Sequence, residues 1–244
     1  MGSEFDQYVD DYKDIINRNA AMAGGSFEFF VRLRLGLMAD ELRRAGVPPL
    51  RALLDFGCGI GDTTVMMRER FPEASIDGVD SSGESIKHAK NLGVRAATFH
   101  YWESGKLPFA DAAFDAIYSN GTFHHIEHAE HPAILGELAR VLRPGGHLFV
   151  FENNPLNPVT LYLMRSSPLD RGTKVLFPWY LRRLQRNAGL RVQGVRFYVF
   201  FPRQLKLLCA AEKHLRQVPF GAQYYVWGTK ESRPRSEGES RRHP

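Results

Sequence analysis

An apolar run ending in an acid, then three glycines at alternate positions, constrains this chain more than any other feature. The run is Leu53-Leu54-Asp55-Phe56-Gly57-Cys58-Gly59-Ile60-Gly61-Asp62, with Thr63 and Thr64 behind it. It predicts a buried strand turning sharply into a helix. Glycines fit where the backbone must bend and where a ligand must come close to it. The start of the next helix offers unpaired N–H groups and the positive end of a dipole. A nucleotide-like ligand is expected at this turn.

Two ligands compete for such a loop. The dinucleotide fingerprint is G-x-G-x-x-G. Here Gly57, Gly59 and Gly61 give G-x-G-x-G, and Asp62 stands where the third fingerprint glycine belongs. A carboxylate there repels a pyrophosphate. Asp55 and Asp62 suit a ligand that carries positive charge and no phosphate, as S-adenosylmethionine does.

The pattern around the loop is that of repeated βαβ units. Ser75 to Asp80 reads as a second strand ending in an acid. Asp80 lies 19 residues after Gly61, near the spacing of about 20 at which an acid meets a ribose diol. It could equally cap the helix beginning near Ser82. Further strands are expected over 96–101, 116–120 and 147–151, with a helix from about Pro132 to Leu142 that stops at Arg143-Pro144-Gly145-Gly146. Strands alternating with helices and short turns give a parallel sheet, whose ligands sit outside the carboxyl ends of its strands.

Five segments occur in order: LDFGCGIG, GVDSS, LPFADAAFD, SNGTFHHI and LARVLRPGGHLFVFE. On these, residues 50–155 resemble the class I S-adenosylmethionine-dependent methyltransferases, in particular the type 11 small-molecule group. The resemblance implies an α/β fold: a Rossmann-like, doubly wound, seven-stranded sheet, mostly parallel with an antiparallel last strand and helices on both faces. It implies that Asp55, Gly57, Gly59 and Gly61 hold the methionine moiety. Asp80, with Ser81 beside it, would meet the ribose, and Glu103 and the Ser104 backbone the adenine. Ser119 and Asn120 would lie near the methionine end. Tyr12 matches an aromatic in the segment that folds over the cofactor as a lid, a segment that an ordinary packing helix would explain as well. Trp102 either stacks on adenine or packs on the neighbouring turn.

The resemblance implies methyl transfer from S-adenosyl-L-methionine, leaving S-adenosyl-L-homocysteine, to a small-molecule or lipid-like acceptor through oxygen, nitrogen or carbon. A base is needed only for an acceptor that must lose a proton. His124 and His125, after the fourth strand, are the first candidates, and Glu152, after the fifth, the next. A cofactor-binding module without catalysis is the alternative, disfavoured by the intact motifs. A nucleotide-dependent oxidoreductase is disfavoured by Asp62.

The expected organisation is an N-terminal helical lid or cap over 1–48, and a methyltransferase core over 49–230. The core would carry an acceptor-pocket insertion near 153–178, and a polar tail would follow over 231–244. Two cysteines, Cys58 and Cys209, are too few for a disulfide framework, and a cytoplasmic setting is expected. The histidines at 124, 125, 128 and 131 cluster, and His124 and His128 could share a helix face, but no metal site is expected. Charge is uneven. Residues 1–164 carry 15 basic and 22 acidic side chains, whereas residues 165–230 carry 13 and 2. That basic third, with Arg165, Arg171, Lys174, Arg182 and Arg183, reads first as a solvated face. A sharper reading makes it a pocket wall for an anionic or lipid-linked acceptor, or a surface resting on an anionic membrane. Nucleic acid is not expected as a partner, because Ser119-Asn120-Gly121-Thr122-Phe123 lacks the paired prolines of the base-amine enzymes. The oligomeric state is left open.

Overall fold

The computed structural model describes residues 15, 17–18, 20–21, 24–167, 172–201 and 205–231. Tyr12 and nearly all of the expected polar tail lie outside these. Helix α1 (Phe27–Arg44) opens the described architecture, with the Ser26 hydroxyl accepting from Phe29 N–H as its N-cap. Then follow β1 (Ala52–Phe56), α2 (Asp62–Arg70), β2 (Ser75–Asp80), α3 (Gly83–Asn91), β3 (Ala97–Tyr101) and β4 (Phe114–Asn120). The second half runs α4 (His131–Val141), β5 (Leu142–Asn153), α5 (Pro158–Ser166), α6 (Pro178–Asn187), β6 (Leu190–Tyr198), α7 (Lys206–Ala211) and β7 (Gln223–Lys230).

The seven strands form one sheet in the order β3-β2-β1-β4-β5-β7-β6. β1 pairs in parallel with both β2 and β4, while β7 runs antiparallel to β5 and β6. The chain winds outward from β1 to β3 and then returns to β4 on the other side of β1. That reversal opens a crevice at the carboxyl ends of β1 and β4.

The strands are apolar on both faces because both faces are covered. Alternate residues divide between two cores. Leu54, Phe56, Ile117, Leu148 and Val150 pack with Leu135 and Leu138 of α4 and Leu181 and Leu184 of α6. Leu53, Ala116, Tyr118, Phe149 and Phe151 pack with Val31, Leu35 and Met38 of α1 and Met67 of α2. α1 is therefore part of the second core along its length.

Two resembling segments prove to be braces. Arg140 donates to the carbonyls of Leu107 and Phe109 and to the carboxylates of Asp111 and Glu137, so it holds the 107–111 loop against α4. Asp115 accepts from the N–H groups of Arg51 and Ala52 and from Arg143, tying the start of β1 to β4 and β5.

Some boundaries move. β5 is longer than the expected 147–151, because Leu142 already pairs with Phe114 before an irregular stretch around the Gly145 turn (φ 80°). His124 and His128 share no helix: the turn at Phe123–His125 is a single 3₁₀ turn that ends at Ile126. Among the described residues, no helix is long and apolar enough to cross a membrane.

Candidate active site

Sharp turning at the end of β1 comes from Gly57, Gly59 and Gly61, all with positive φ of 78°, 52° and 89°. Gly57 and Cys58 both donate their N–H to the carbonyl of Val79, and Gly61 donates back to Cys58, which folds the loop onto the end of β2. Asp80 completes the turn. One of its oxygens accepts from Gly59 N–H at 2.8 Å and the other from Ser82 N–H at 2.9 Å. The alternative reading, that Asp80 caps the following helix, does not hold. The cap is Ser82, whose hydroxyl accepts from Ser85 N–H, and Asp80 instead reaches the glycine loop.

Asp55 lies at the end of β1, 2% exposed, and accepts from the Thr64 hydroxyl at 2.8 Å. Burial pushes its carboxyl up to about 7; the Thr64 bond opposes this and the Asp80 charge adds to it. In the unfolded chain the same group loses its proton near 4. Between those values the folded state holds more protons, so Asp55 favours folding at low pH. This contribution is lost as pH rises from about 4 to about 7, by at most about 1.4 kcal/mol per pH unit. Asp55→Asn should flatten this part of the stability–pH curve. Urea titrations of both proteins at pH 5, 6 and 7 check it, and a constant difference between them across that range contradicts it.

A cavity of about 240 Å³ opens beside the loop. Asp55, Gly57, Cys58, Ile60, Asp62 and Thr63 form one wall, and Tyr118, Asn120, Gly121, Glu152 and Asn153 come from the ends of β4 and β5. Phe27, Phe30 and Arg34 of α1 and Thr160, Leu163 and Met164 of α5 close the remaining sides, with Val199, Ala222 and Gln223. α5 is set in place by asparagines. Buried Asn154 donates to the carbonyls of Pro219 and Gly221, and Asn157 caps α5 while donating to Phe220. Thr160 adds a bond to the Ala222 carbonyl.

Of the expected site residues, Asp55, Gly57, Asn120 and Glu152 meet at this cavity. Asp80, Ser81, Glu103 and Ser104 lie at the ends of β2 and β3 and do not line it, and Ser81, Glu103 and Ser104 are exposed. Glu103 accepts from the Tyr101 hydroxyl at 3.0 Å. Trp102 packs on Phe56 with ring centroids 5.7 Å apart, and its indole N–H is buried without a partner. Ser119 is fully buried on β4 and does not line the cavity.

The candidate bases form one unit. His124 Nδ1 lies 2.6 Å from one oxygen of Glu152, and Phe123 N–H donates to the other. Both side chains are buried, yet only Glu152 borders the cavity; the His125 ring lies tilted against His124 with ring centroids 4.1 Å apart. His131 serves the structure, with Nε2 2.9 Å from the Phe123 carbonyl and Nδ1 3.0 Å from the Tyr180 hydroxyl. Among the described residues no group of three or more His, Cys, Asp or Glu side chains could hold a metal ion.

None of the described basic residues singled out in the C-terminal third lines the cavity. Lys174 pairs with Glu127, Arg183 lies over the Tyr180 ring, and Arg165 and Arg182 are exposed; Arg171 falls outside the described residues. The cation that does reach the cavity is Arg34, which sequence reasoning missed. Its signal was an arginine at a core position of α1, three residues after Val31 and four before Met38.

The residues at the glycine turn fit S-adenosylmethionine by the chemistry of the donor set. Asp62 occupies the first turn of α2, where the helix dipole favours an anion. With Asp55, it gives this wall of the cavity two carboxyl groups and no Lys or Arg. A sulfonium and an ammonium match that wall, whereas a diphosphate does not.

Comparison with known proteins agrees. Residues 53–146 match the methyltransferase domain family. A demethylmenaquinone methyltransferase of Thermus thermophilus is 36% identical over 145 residues, covering 58% of this chain and 61% of that protein. A 27-O-demethylrifamycin SV methyltransferase of Amycolatopsis mediterranei is 34% identical over 114 residues, covering 43% and 41%. The chain thus spans about half the length of the relatives it matches. A solved S-adenosylmethionine-dependent methyltransferase of Thermotoga maritima superposes with a TM-score of 0.63 at 20% identity, covering 93% of this chain and 98% of that one. The resemblance and the fold class read from the sequence are borne out.

Proposed function

We propose that this chain, whose residues 53–146 match the methyltransferase domain family, transfers a methyl group from S-adenosyl-L-methionine to a small metabolite. The observation that carries the reading is the glycine loop itself. A carboxylate from β2 fixes it from behind, and its cavity wall carries acids where a diphosphate binder needs backbone donors.

The bound cofactor supplies a methyl group already activated on a sulfonium. Asp80, held by Gly59 and Ser82, would receive the ribose hydroxyls, and Glu103 the adenine amine. Asp55, Asn120 and the loop would hold the amino-acid end. Phe27 and Phe30 of α1 and Leu163 and Met164 of α5 exclude water from the reacting centre and restrict how an acceptor can lie. Alignment of the acceptor can supply most of the required rate. Glu152 is the carboxylate at the cavity that could take a proton from a hydroxyl or amine acceptor, with His124 positioning it. The relatives' names cover both a 27-O-demethylrifamycin and a demethylmenaquinone substrate. A small acceptor class is thereby favoured, and the acceptor atom is not.

The test is label transfer. Protein incubated with methyl-labelled S-adenosylmethionine and a metabolite extract should yield a labelled low-molecular-weight product, together with S-adenosylhomocysteine. Tight binding of S-adenosylhomocysteine with no labelled product from any extract fraction would favour the module without catalysis.

A further inference from the structure

Arg34 is a cation with no anion. It is only 4% exposed, yet among the described residues no carboxylate comes within ion-pairing distance of it. Its one hydrogen bond is to a neutral group, Nη1 donating to Gln223 Oε1 at 3.1 Å. Its Nε has no partner. Tyr118 and Tyr198 stand beside the guanidinium and interact with it, yet neither buried hydroxyl makes a hydrogen bond of normal geometry. Burying an uncompensated charge costs several kcal/mol, and a guanidinium does not lose its proton to escape that cost. Three under-satisfied donors at one place, two of them on residues that line the cavity, describe a receptor for an anion.

The receptor reaches from β4, where Tyr118 pairs with Asp55 of β1, to β7. Arg34 is held from β7 through Gln223, whose amide nitrogen is fixed in turn by Asn153 Oδ1 at 3.3 Å. β7 lies three strands from β1 in the sheet, about 14 Å at the usual strand spacing. The surrounding wall of Phe30, Leu163, Met164, Val199 and Ala222 is apolar.

We infer that Arg34, with Tyr118 and Tyr198, binds the carboxylate of the methyl acceptor, so that the acceptor is a carboxylic acid with an apolar body. This rests on the proposed methyl transfer and names the substrate class for the same cavity. The guanidinium gains the anion it lacks, the two hydroxyls gain an acceptor, and the acceptor's free end is directed back towards Asn120 and Glu152.

Calorimetry on full-length protein saturated with S-adenosylhomocysteine tests it, using benzoate and hexanoate against benzamide and hexanamide. The expected result is saturable binding of at least one carboxylate, tenfold or more tighter than its amide. That binding should weaken at least tenfold in Arg34→Met and be partly kept in Arg34→Lys. Tyr118→Phe, a milder change, should weaken it threefold or more. Affinity for S-adenosylhomocysteine should stay within threefold of wild type in each variant. Equal or absent binding of acids and amides overturns the inference, as does carboxylate binding that Arg34→Met leaves intact. A tenfold loss of S-adenosylhomocysteine affinity in Arg34→Met, with affinity for methylthioadenosine unchanged, also overturns it by giving Arg34 to the cofactor's own carboxylate. Failure of S-adenosylhomocysteine to bind wild type is a separate outcome, which removes the methyltransferase reading and this inference with it.

Discussion

Asp80→Ala should lower affinity for S-adenosylhomocysteine about 100-fold or more. Hydrogen bonds to a charged group contribute about 1.5–3 kcal/mol each, and a ribose diol offers two. Asp80 also fastens Gly59 N–H and Ser82 N–H, so its loss loosens the loop that must meet the amino-acid end. Asp80→Asn keeps the shape but gives up the charge and one acceptor oxygen, and should fall between alanine and wild type. Glu103→Ala should cost no more than about tenfold, because an exposed carboxylate makes weaker bonds against water. Calorimetric titration of the three variants checks the order. Affinity within threefold of wild type in Asp80→Ala would remove the ribose assignment.

Gly57→Ala should strongly destabilise the fold. A Cβ there would lie 2.2 Å from Thr122 Oγ1 and 2.6 Å from its Cγ2, and φ is +78°. Thr122 has little room to yield, since its hydroxyl lies 3.3 Å from the carbonyls of both Phe56 and Asn120. Left-handed backbone costs about 1–2 kcal/mol for an L residue, and overpacking adds about 1–3 kcal/mol. The melting temperature should drop by about 4–20 °C at the usual scaling for a chain of this size. Thr122→Gly in the same chain should restore the part due to the clash and leave the part due to φ. Gly36→Ala supplies the contrast: it lies inside α1 with nothing within 4 Å of its would-be Cβ. It should stabilise by up to about 1 kcal/mol. Equal melting temperatures for Gly57→Ala and wild type would mean that the loop does not press on Thr122.

What the sequence made legible was local. The glycine turn, Asp80 and the strands of the parallel sheet depend on patterns within a few residues, and they appear in the structure where periodicity places them. The cap on α3 was left open in the sequence, because either the acid of Asp80 or the hydroxyl of Ser82 can accept from a first-turn N–H. Only the approach of Gly59, 21 residues away, decides between them. The far side of the cavity was not legible. Arg34 reaches Gln223 across 189 residues of sequence, and on α1 it interrupts an apolar stripe that by itself reads as core. Tyr118 looks like any strand aromatic until its buried hydroxyl is found to make no hydrogen bond of normal geometry. In the expected insertion near 153–178, Asn154 and Asn157 act by pinning α5 to the loop before β7. Of the two readings of the basic third, its described residues fit the solvated face: Arg165, Arg182 and Arg183 are exposed and Lys174 pairs with Glu127. The cation that reaches the cavity comes from α1, in the acidic half of the chain.

The central claim is that the acidic glycine loop selects a sulfonium-type cofactor over a dinucleotide. Parallel calorimetric titrations with S-adenosylhomocysteine and NADH test it most directly. The account predicts one saturable site for S-adenosylhomocysteine, lost in Asp80→Ala, and no measurable heat from NADH. Saturable binding of NADH with none of S-adenosylhomocysteine would contradict it.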